Sequence, residues 1–428
     1  MSLQKDIGEL LKAGVITPEV ALKIQTHYQN KGGKSTGRIL LAFGILGAIL
    51  LGLGIILILA HNWDELPKTI KVFLAFVPLV SSQLLAGFGL LKKSGSLVWR
   101  ETSAAFLFFS VGACIALIGQ IYNIPGDAGS FLLSWMLLCL PMIYVMQSSV
   151  TSLLFVAGIT WYAAYVGYFS PSPSIPYLYW LLLFATIPHY HHLIKVKPEG
   201  NFTIFHHWLI PLSLVISLGT TAESATKLMW VSYSSLFGLL FLIGGLDIID
   251  RQKLINNGYK ILGMTGSTII LLILSFDWFW LDLHKEGLSL VDSATTAEFW
   301  AVIILIGAGI SLFMQQKFKS IGELNPFGYV FLLFILIFIL GLMLPFMMVL
   351  INLLVFSIGL QASLKGARQN NLALLNAGLL LIVVLAVCRF FDGNISFVIR
   401  GLIFVGVGIG FFAGNYWILK KRKNHEKQ

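Results

Sequence analysis

The polar residues that could do chemistry in this chain form three short clusters, each beside a long apolar run. They combine arginines, carboxylates, amides and one histidine with aromatic side chains. The clusters are His61, Asn62, Trp63 and Asp64; Gln120, Tyr122, Asn123 and Asp127; and Arg389, Asp392 and Arg400. A guanidinium group can hold a phosphate or carboxylate through paired hydrogen bonds. A carboxylate beside a histidine can act in general acid–base catalysis.

Three interpretations of these clusters stay open. In the first they are structural, with aromatic rings at the membrane surface, helix caps, and arginines paired with Asp64 and Asp392. In the second, the two arginines bind an anionic group and the cluster from Gln120 to Asp127 lines the entrance. In the third, an aspartate of one cluster is a base beside His61 in an enzyme that acts on a lipid-linked substrate.

The composition determines what kind of element must position these clusters. The chain has 428 residues, of which 57% are hydrophobic and 11% charged, and its mean hydropathy is +0.85. Soluble proteins carry about a quarter charged residues, so a water-soluble enzyme is excluded. The three cysteines cannot form a disulfide framework. The composition predicts an all-α, polytopic integral membrane protein.

Runs of mainly apolar residues predict about fourteen membrane-spanning helices, since one span needs roughly 20 such residues. The runs are 39–60, 70–91, 103–121, 130–146, 151–169, 177–194, 204–219, 228–248, 260–280, 299–315, 327–344, 346–364, 372–388 and 395–419. The run 204–219 is short. The stretch 327–364 is too long for one span, so we divide it near Pro345.

Lysine and arginine set the orientation of such helices. With fourteen spans and a cytoplasmic amino terminus, 23 of the 29 basic residues fall on the cytoplasmic side. We therefore expect both termini in the cytoplasm and all three polar clusters at the extracytoplasmic side of a bacterial inner membrane. The cytoplasmic charge suits anionic membrane lipids, and we expect no nucleic-acid partner.

The chain divides by composition into three regions. Residues 1–37 predict a small cytoplasmic helical hairpin, in which Gly14 ends the first helix and Thr17 and Pro18 begin the second. Residues 38–419 are the transmembrane domain, and 420–428 are a basic tail. The hairpin either packs against the inner surface or offers a docking surface to a protein partner.

Other polar residues carry weaker signals. Five histidines between 189 and 207 match no standard zinc spacing, so we predict no metal site, and no motif indicates a cofactor. Several amides lie inside predicted helices, where we expect hydrogen bonds between helices. They are Gln83, Asn352, Gln361, Asn376 and Asn415.

Three stretches together carry a family resemblance. They are His61–Pro67, Gly119–Asp127, and Arg389–Asp392 with Ser396, Phe397, Arg400 and Gly401. With the amino-terminal hairpin, they resemble the bacterial membrane-protein family catalogued as domain of unknown function 2157, most clearly over 1–150 and near 370–419. The resemblance implies a polytopic inner-membrane protein and brings no established activity.

The functional expectation is a transporter, flippase or accessory subunit that binds an anionic or lipid-linked ligand. An outward-facing transferase or hydrolase and a sensor or scaffold are the alternatives. A transporter should show a cavity that runs from the polar clusters to mid-membrane. An enzyme should show two carboxylates or histidines close together in one pocket, and a scaffold should show an exposed apolar face on residues 3–28.

Overall fold

The structure is a computed structural model. It describes residues 7, 10–24, 42–54 except 48 and 52, 66–250, 253–286, 288, 293–315 and 325–390, and scattered residues between 398 and 412. The chain divides into two compact units. Unit 1 comprises Met1–Pro173 and Tyr177–His192, and unit 2 comprises Ser174–Pro176 and Leu193–Gln428.

The described residues are mostly helical and contain no strand, which confirms the all-α prediction. Apolar segments in lipid must satisfy their own backbone hydrogen bonds, and a helix does this within one segment. In unit 1 the helices are α1 (Lys68–Lys92), α2 (Leu97–Ile121), α3 (Ala128–Val145), α4 (Ser149–Ala164) and α5 (Tyr177–Phe184). A π-helix, Tyr165–Phe169, continues α4, and α6 (Ile187–Val196) contains the boundary between the units.

Unit 2 contains the remaining described helices. They are α7 (Asn201–Leu218), α8 (Leu228–Gly244), α9 (Gly258–Ile273), α10 (Trp278–Glu286), α11 (Ala297–Gln315), α12 (Pro326–Gly341), α13 (Met348–Arg368) and α14 (Leu372–Phe390). Short 3-10 helices lie at Gly219–Thr221, directly after α7, and at Leu254–Asn256. The stretch 327–364 thus forms two helices, α12 and α13.

Eight described helices are long and apolar enough to cross a membrane, or nine if the bent pair α9–α10 is one span. The short run 204–219 is among them, because α7 and its 3-10 extension reach from Asn201 to Thr221. The first and last predicted spans, 39–60 and 395–419, lie largely outside the described residues. The count of fourteen and the orientation of the termini stay predictions.

Two runs predicted as single helices are interrupted. The run 177–194 is divided into α5 and α6 at Ala185 and Thr186. Pro188 has no N–H to donate to the carbonyl of Phe184, where α5 ends. The run 260–280 ends as α9, and α10 follows at an angle of 72°.

Polar side chains cap several helices. Ser148 and Asn257 accept hydrogen bonds from backbone N–H groups in the first turns of α4 and α9. Within residues 10–24, two helical segments flank a turn, and Gly14 has a positive φ of 69°. Val15 donates to the carbonyl of Leu10, which is the Schellman arrangement. Gly14 therefore ends the first segment as predicted.

Unit 1 is built around the pair α1–α2 and the pair α3–α4. In the first pair, Ala75 near the start of α1 packs with Leu117 and Ile121 near the end of α2, so the two helices are antiparallel. Gly112 of α2 leaves room for the ring of Trp135 on α3. The indole of Trp135 donates to the carbonyl of Phe108 at 2.8 Å. These contacts bring α3 against α2.

Candidate functional site

Four predicted site residues lie in the connection between α2 and α3 of unit 1. Gln120 is in the last turn of α2, and Tyr122 is its C-cap. Asn123 follows with a positive φ of 48°. Its successor, Ile124, donates to the carbonyl of Gly119 at 2.9 Å. The connection therefore ends α2 in the left-handed turn that favours asparagine or glycine.

Asp127 is the N-cap of α3. Its Oδ1 accepts the backbone N–H of Ser130 at 2.8 Å, and its Oδ2 accepts the Ser130 hydroxyl at 3.2 Å. The backbone hydrogen bond from Ser130 holds the pKa of Asp127 below its ordinary value of 3.8. The carboxylate is exposed and carries a negative charge at neutral pH.

A groove of about 900 Å³ extends from Asp127 between α1, α2 and α3. Its described walls are mainly aliphatic and aromatic. They are Leu79, Gln83, Val111, Cys114, Ile115, Ala116, Ile118, Gly119, Ile124, Pro125, Gly126, Asp127, Ala128, Ser130, Phe131, Ser134 and Leu138. Ligand pockets commonly measure about 300–1,000 Å³ and are mostly apolar with a few placed polar groups.

The groove reaches deep into the membrane-spanning part of unit 1. At 1.5 Å per residue, Gln83 lies roughly 22 Å along α1 from Lys68, and Leu138 lies roughly 15 Å along α3 from Ala128. Both helices start at the end where Asp127 lies. These lengths are half or more of a hydrocarbon core that is about 30 Å thick.

Two polar side chains lie below the rim of the groove. Ser134 donates its hydroxyl to the carbonyl of Ser130 at 2.8 Å and is exposed. Gln83 is an exposed amide in the middle of α1 and lines the groove. The hydrogen bond that we expected from Gln83 to another helix stays a prediction. The position of Gln83 could not be read from the sequence, because helical periodicity does not reveal which lipid-facing side adjoins a gap.

The π-helix borders the same end of unit 1. A Cβ atom on Gly129 of α3 would lie 2.9 Å from Oδ1 of Asp127 and 3.0 Å from a methyl group of Val166. The absence of a side chain at Gly129 thus allows α3 to approach the π-helix closely. Single-turn π-helices often mark functional positions.

Glu101 is a buried carboxylate that the sequence analysis did not single out. It lies in the first turns of α2 and is fully buried. Its carboxylate accepts the hydroxyl of Ser148 at 2.5 Å and the N–H groups of Ser149 and Val150 at 3.1 and 3.0 Å. Glu101 thereby holds the start of α4 against α2, at the opposite end of α2 from Asp127.

Arg389 lies in unit 2, at the break between α9 and α10. It is 8% exposed. Its Nη2 donates to the hydroxyl of Ser275 at 3.1 Å, and its Cζ lies 4.5 Å from the centre of the Phe276 ring. Asn352 of α13 donates to the carbonyl of Ser275 at 2.9 Å, which confirms the expected contact between helices.

The other predicted site residues lie outside the described residues. They are His61, Asn62, Trp63, Asp64, Asp392 and Arg400. The structure therefore brings together Gln120, Tyr122, Asn123 and Asp127 in one connection of unit 1, and it describes Arg389 in unit 2. Among the described lining residues of the groove, Asp127 is the one with a charge.

Part of the chain is similar to a known family. Residues 9–166 match the family model described as Predicted membrane protein (DUF2157). The predicted resemblance to DUF2157 is confirmed over this region. Every described lining residue of the groove, from Leu79 to Leu138, lies inside it. No curated protein and no solved structure matches the chain.

Proposed function

We propose that this membrane protein binds a lipid-linked ligand in the groove between α1, α2 and α3. The apolar chain of the ligand lies along the groove, and its polar group lies at Asp127 and Ser130. The observation that carries the proposal is the form of the groove, which joins a charged rim to apolar walls along helices long enough to cross a membrane. A lipid has the same arrangement, with a polar head followed by an apolar chain.

The polar residues of the groove determine which lipid it binds. Lipid tails are as apolar as leucine, so moving a chain from the bilayer into the groove gains little from the hydrophobic effect. Packing against the walls and hydrogen bonds to Gln83, Ser134 and the rim then decide which amphiphile is retained. An exposed amide at the depth of Gln83 would find no hydrogen-bond partner in hydrocarbon. A polar group of a bound ligand would supply one.

Binding or movement of the ligand fits the groove better than catalysis. General acid–base chemistry on a bound lipid needs two titratable groups near one another. The lining residues that the structure describes offer Asp127 at the rim and a buried Cys114, and no histidine. We therefore propose a transporter, a flippase or an accessory subunit, and we keep the expectation of a bacterial inner membrane with both termini cytoplasmic.

A pair of glycine substitutions tests this proposal. Gly119 lines the groove, and a Cβ atom there would meet no described atom within 4 Å. Gly87 on α1 is equally open and does not line the groove. We expect Gly119→Phe to fill the groove and lower lipid retention, while Gly87→Phe leaves it unchanged.

The measurement is native mass spectrometry of the full-length protein released from nanodiscs of a defined phospholipid mixture. The count of retained lipids is compared between the two variants and the unsubstituted protein. Equal retention in Gly119→Phe and Gly87→Phe would overturn the proposal.

A further inference from the structure

The charge at the rim of the groove specifies the chemistry of the ligand's head. We infer that the groove selects a phospholipid whose head carries a primary ammonium group over one whose head is only anionic. This inference rests on the proposed function, since it concerns the ligand of the same groove. It narrows the expected ligand, which the sequence left as anionic or lipid-linked.

The first step is the charge of the groove itself. Asp127 is the charged side chain among the lining residues that the structure describes. It is exposed, so a head group can reach it. It accepts the N–H and the hydroxyl of Ser130, and the backbone N–H of Gly129 also stabilises its charge, while a carboxylate has about four lone-pair sites. Asp127 can therefore accept further hydrogen bonds from a primary ammonium group.

The second step is the start of α3, which would by itself attract an anion. Here the N–H of Ser130 donates to Oδ1 of Asp127, and the N–H of Phe131 donates to the carbonyl oxygen of the same residue. The N-terminal partial charge of α3 is thus already matched by a full negative charge. An anionic head at this place would meet the carboxylate of Asp127 first.

The third step concerns the cations at the same end of unit 1. Lys68 and Lys71 lie in the first turn of α1, the end that packs on the end of α2. They do not line the groove. These lysines place positive charge at the same end of unit 1, so the phosphate of a zwitterionic head does not oppose binding while its ammonium group reaches Asp127.

The expected preference is modest because Asp127 is exposed to solvent. Exposed ion pairs change affinity by about fivefold or less. We therefore expect about threefold to fivefold tighter binding of a primary-ammonium lipid than of an anionic lipid with the same chains. A quaternary ammonium head, which cannot donate a hydrogen bond, should bind with intermediate strength.

The experiment uses the full-length protein in nanodiscs of phosphatidylcholine with one competing lipid added at a time. The competing lipids are phosphatidylethanolamine and phosphatidylglycerol with identical chains. The variant Asp127→Asn keeps an N-cap of similar quality and removes the charge. Native mass spectrometry counts each lipid retained by the unsubstituted protein, by Asp127→Asn and by Gly119→Phe.

Retention of phosphatidylethanolamine above phosphatidylglycerol, abolished by Asp127→Asn, is the expected result. Equal retention of the two lipids, or a preference for phosphatidylglycerol, overturns the inference while the proposed function stands if Gly119→Phe still lowers retention. An unchanged preference in Asp127→Asn also overturns the inference. If Gly119→Phe changes the retention of neither lipid, the proposed function itself fails.

Discussion

Ser148 donates its hydroxyl to the carboxylate of Glu101 at 2.5 Å, across 47 residues of chain. The same carboxylate accepts the first two N–H groups of α4, which follow Ser148. One residue of α2 thus caps another helix and orients it. The capping side chain of α4 thus comes from a different helix. It fixes α4 relative to α2, which forms one wall of the groove.

Removing the carboxylate of Glu101 should destabilise unit 1. In Glu101→Ala, two N–H groups and the Ser148 hydroxyl lose a buried acceptor. We expect a loss of about 3 kcal/mol in the free energy of unfolding, measured as a lower melting temperature in detergent by intrinsic fluorescence. Glu199→Ala, at an exposed glutamate, is the control and should melt as the unsubstituted protein does. Equal melting of the two variants would contradict the capping role.

Substitution of two glycines of α2 by alanine should change the stability in opposite directions. A Cβ atom on Gly112 would lie 2.5 Å from the Trp135 ring, whereas one on Gly119 would meet no described atom within 4 Å. Gly112→Ala should therefore cost about 1–3 kcal/mol through overpacking. Gly119→Ala should add about 0.5–1 kcal/mol because alanine favours the helix. Thermal unfolding of both variants checks the difference in sign.

Arg389 should contribute to the stability of unit 2 rather than to lipid retention in the groove. Its guanidinium bonds Ser275 and lies over the Phe276 ring at the break between α9 and α10. Arg389→Gln should lower the free energy of unfolding by about 2 kcal/mol, because the buried hydroxyl of Ser275 loses a charged hydrogen-bond donor. Lipid retention measured on the same preparation should stay unchanged. A loss of retention without a loss of stability would instead place Arg389 in a ligand site.

The cap at Asp127 should depend on pH. Its pKa is lowered in the folded protein by the Ser130 N–H, so the stability it adds is present above the ordinary value of 3.8 and is lost as pH falls through the lowered pKa. We expect Asp127→Ala to melt below the unsubstituted protein at pH 7. The difference should shrink as the pH is lowered past 3.8. A difference that stays constant down to pH 3 would show that the charge of Asp127 does not matter.

Much of the helical framework follows from local features that the sequence displays. Long apolar runs predicted α1 to α4, α7, α11, α13 and α14 to within six residues at either end. Gly14 was predicted to end a helix, and it has the positive φ that this role requires. These features depend on residues a few positions apart, and that is why periodicity and turn chemistry reveal them.

The breaks and the groove depend on contacts between distant residues. At the break between α9 and α10, the carbonyl of Ser275 accepts the side-chain amide of Asn352, and its hydroxyl accepts a hydrogen bond from Arg389. These partners lie 77 and 114 residues further along the chain, so no local pattern predicts the contacts. Asp127 was predicted as a site residue, but its neighbours in the groove come from α1 and α2. Which helices leave a gap between them is a property of packing, so Gln83 and Gly119 were not recognised as parts of a site.

The groove has a consequence for related chains of different length. Its described walls are all contributed by one contiguous stretch of fewer than a hundred residues, inside the segment that the DUF2157 model matches. A shorter homologue that ends soon after this segment would still carry every one of those walls. Such a truncated relative would be a smaller protein in which ligand binding could be studied without the later helices.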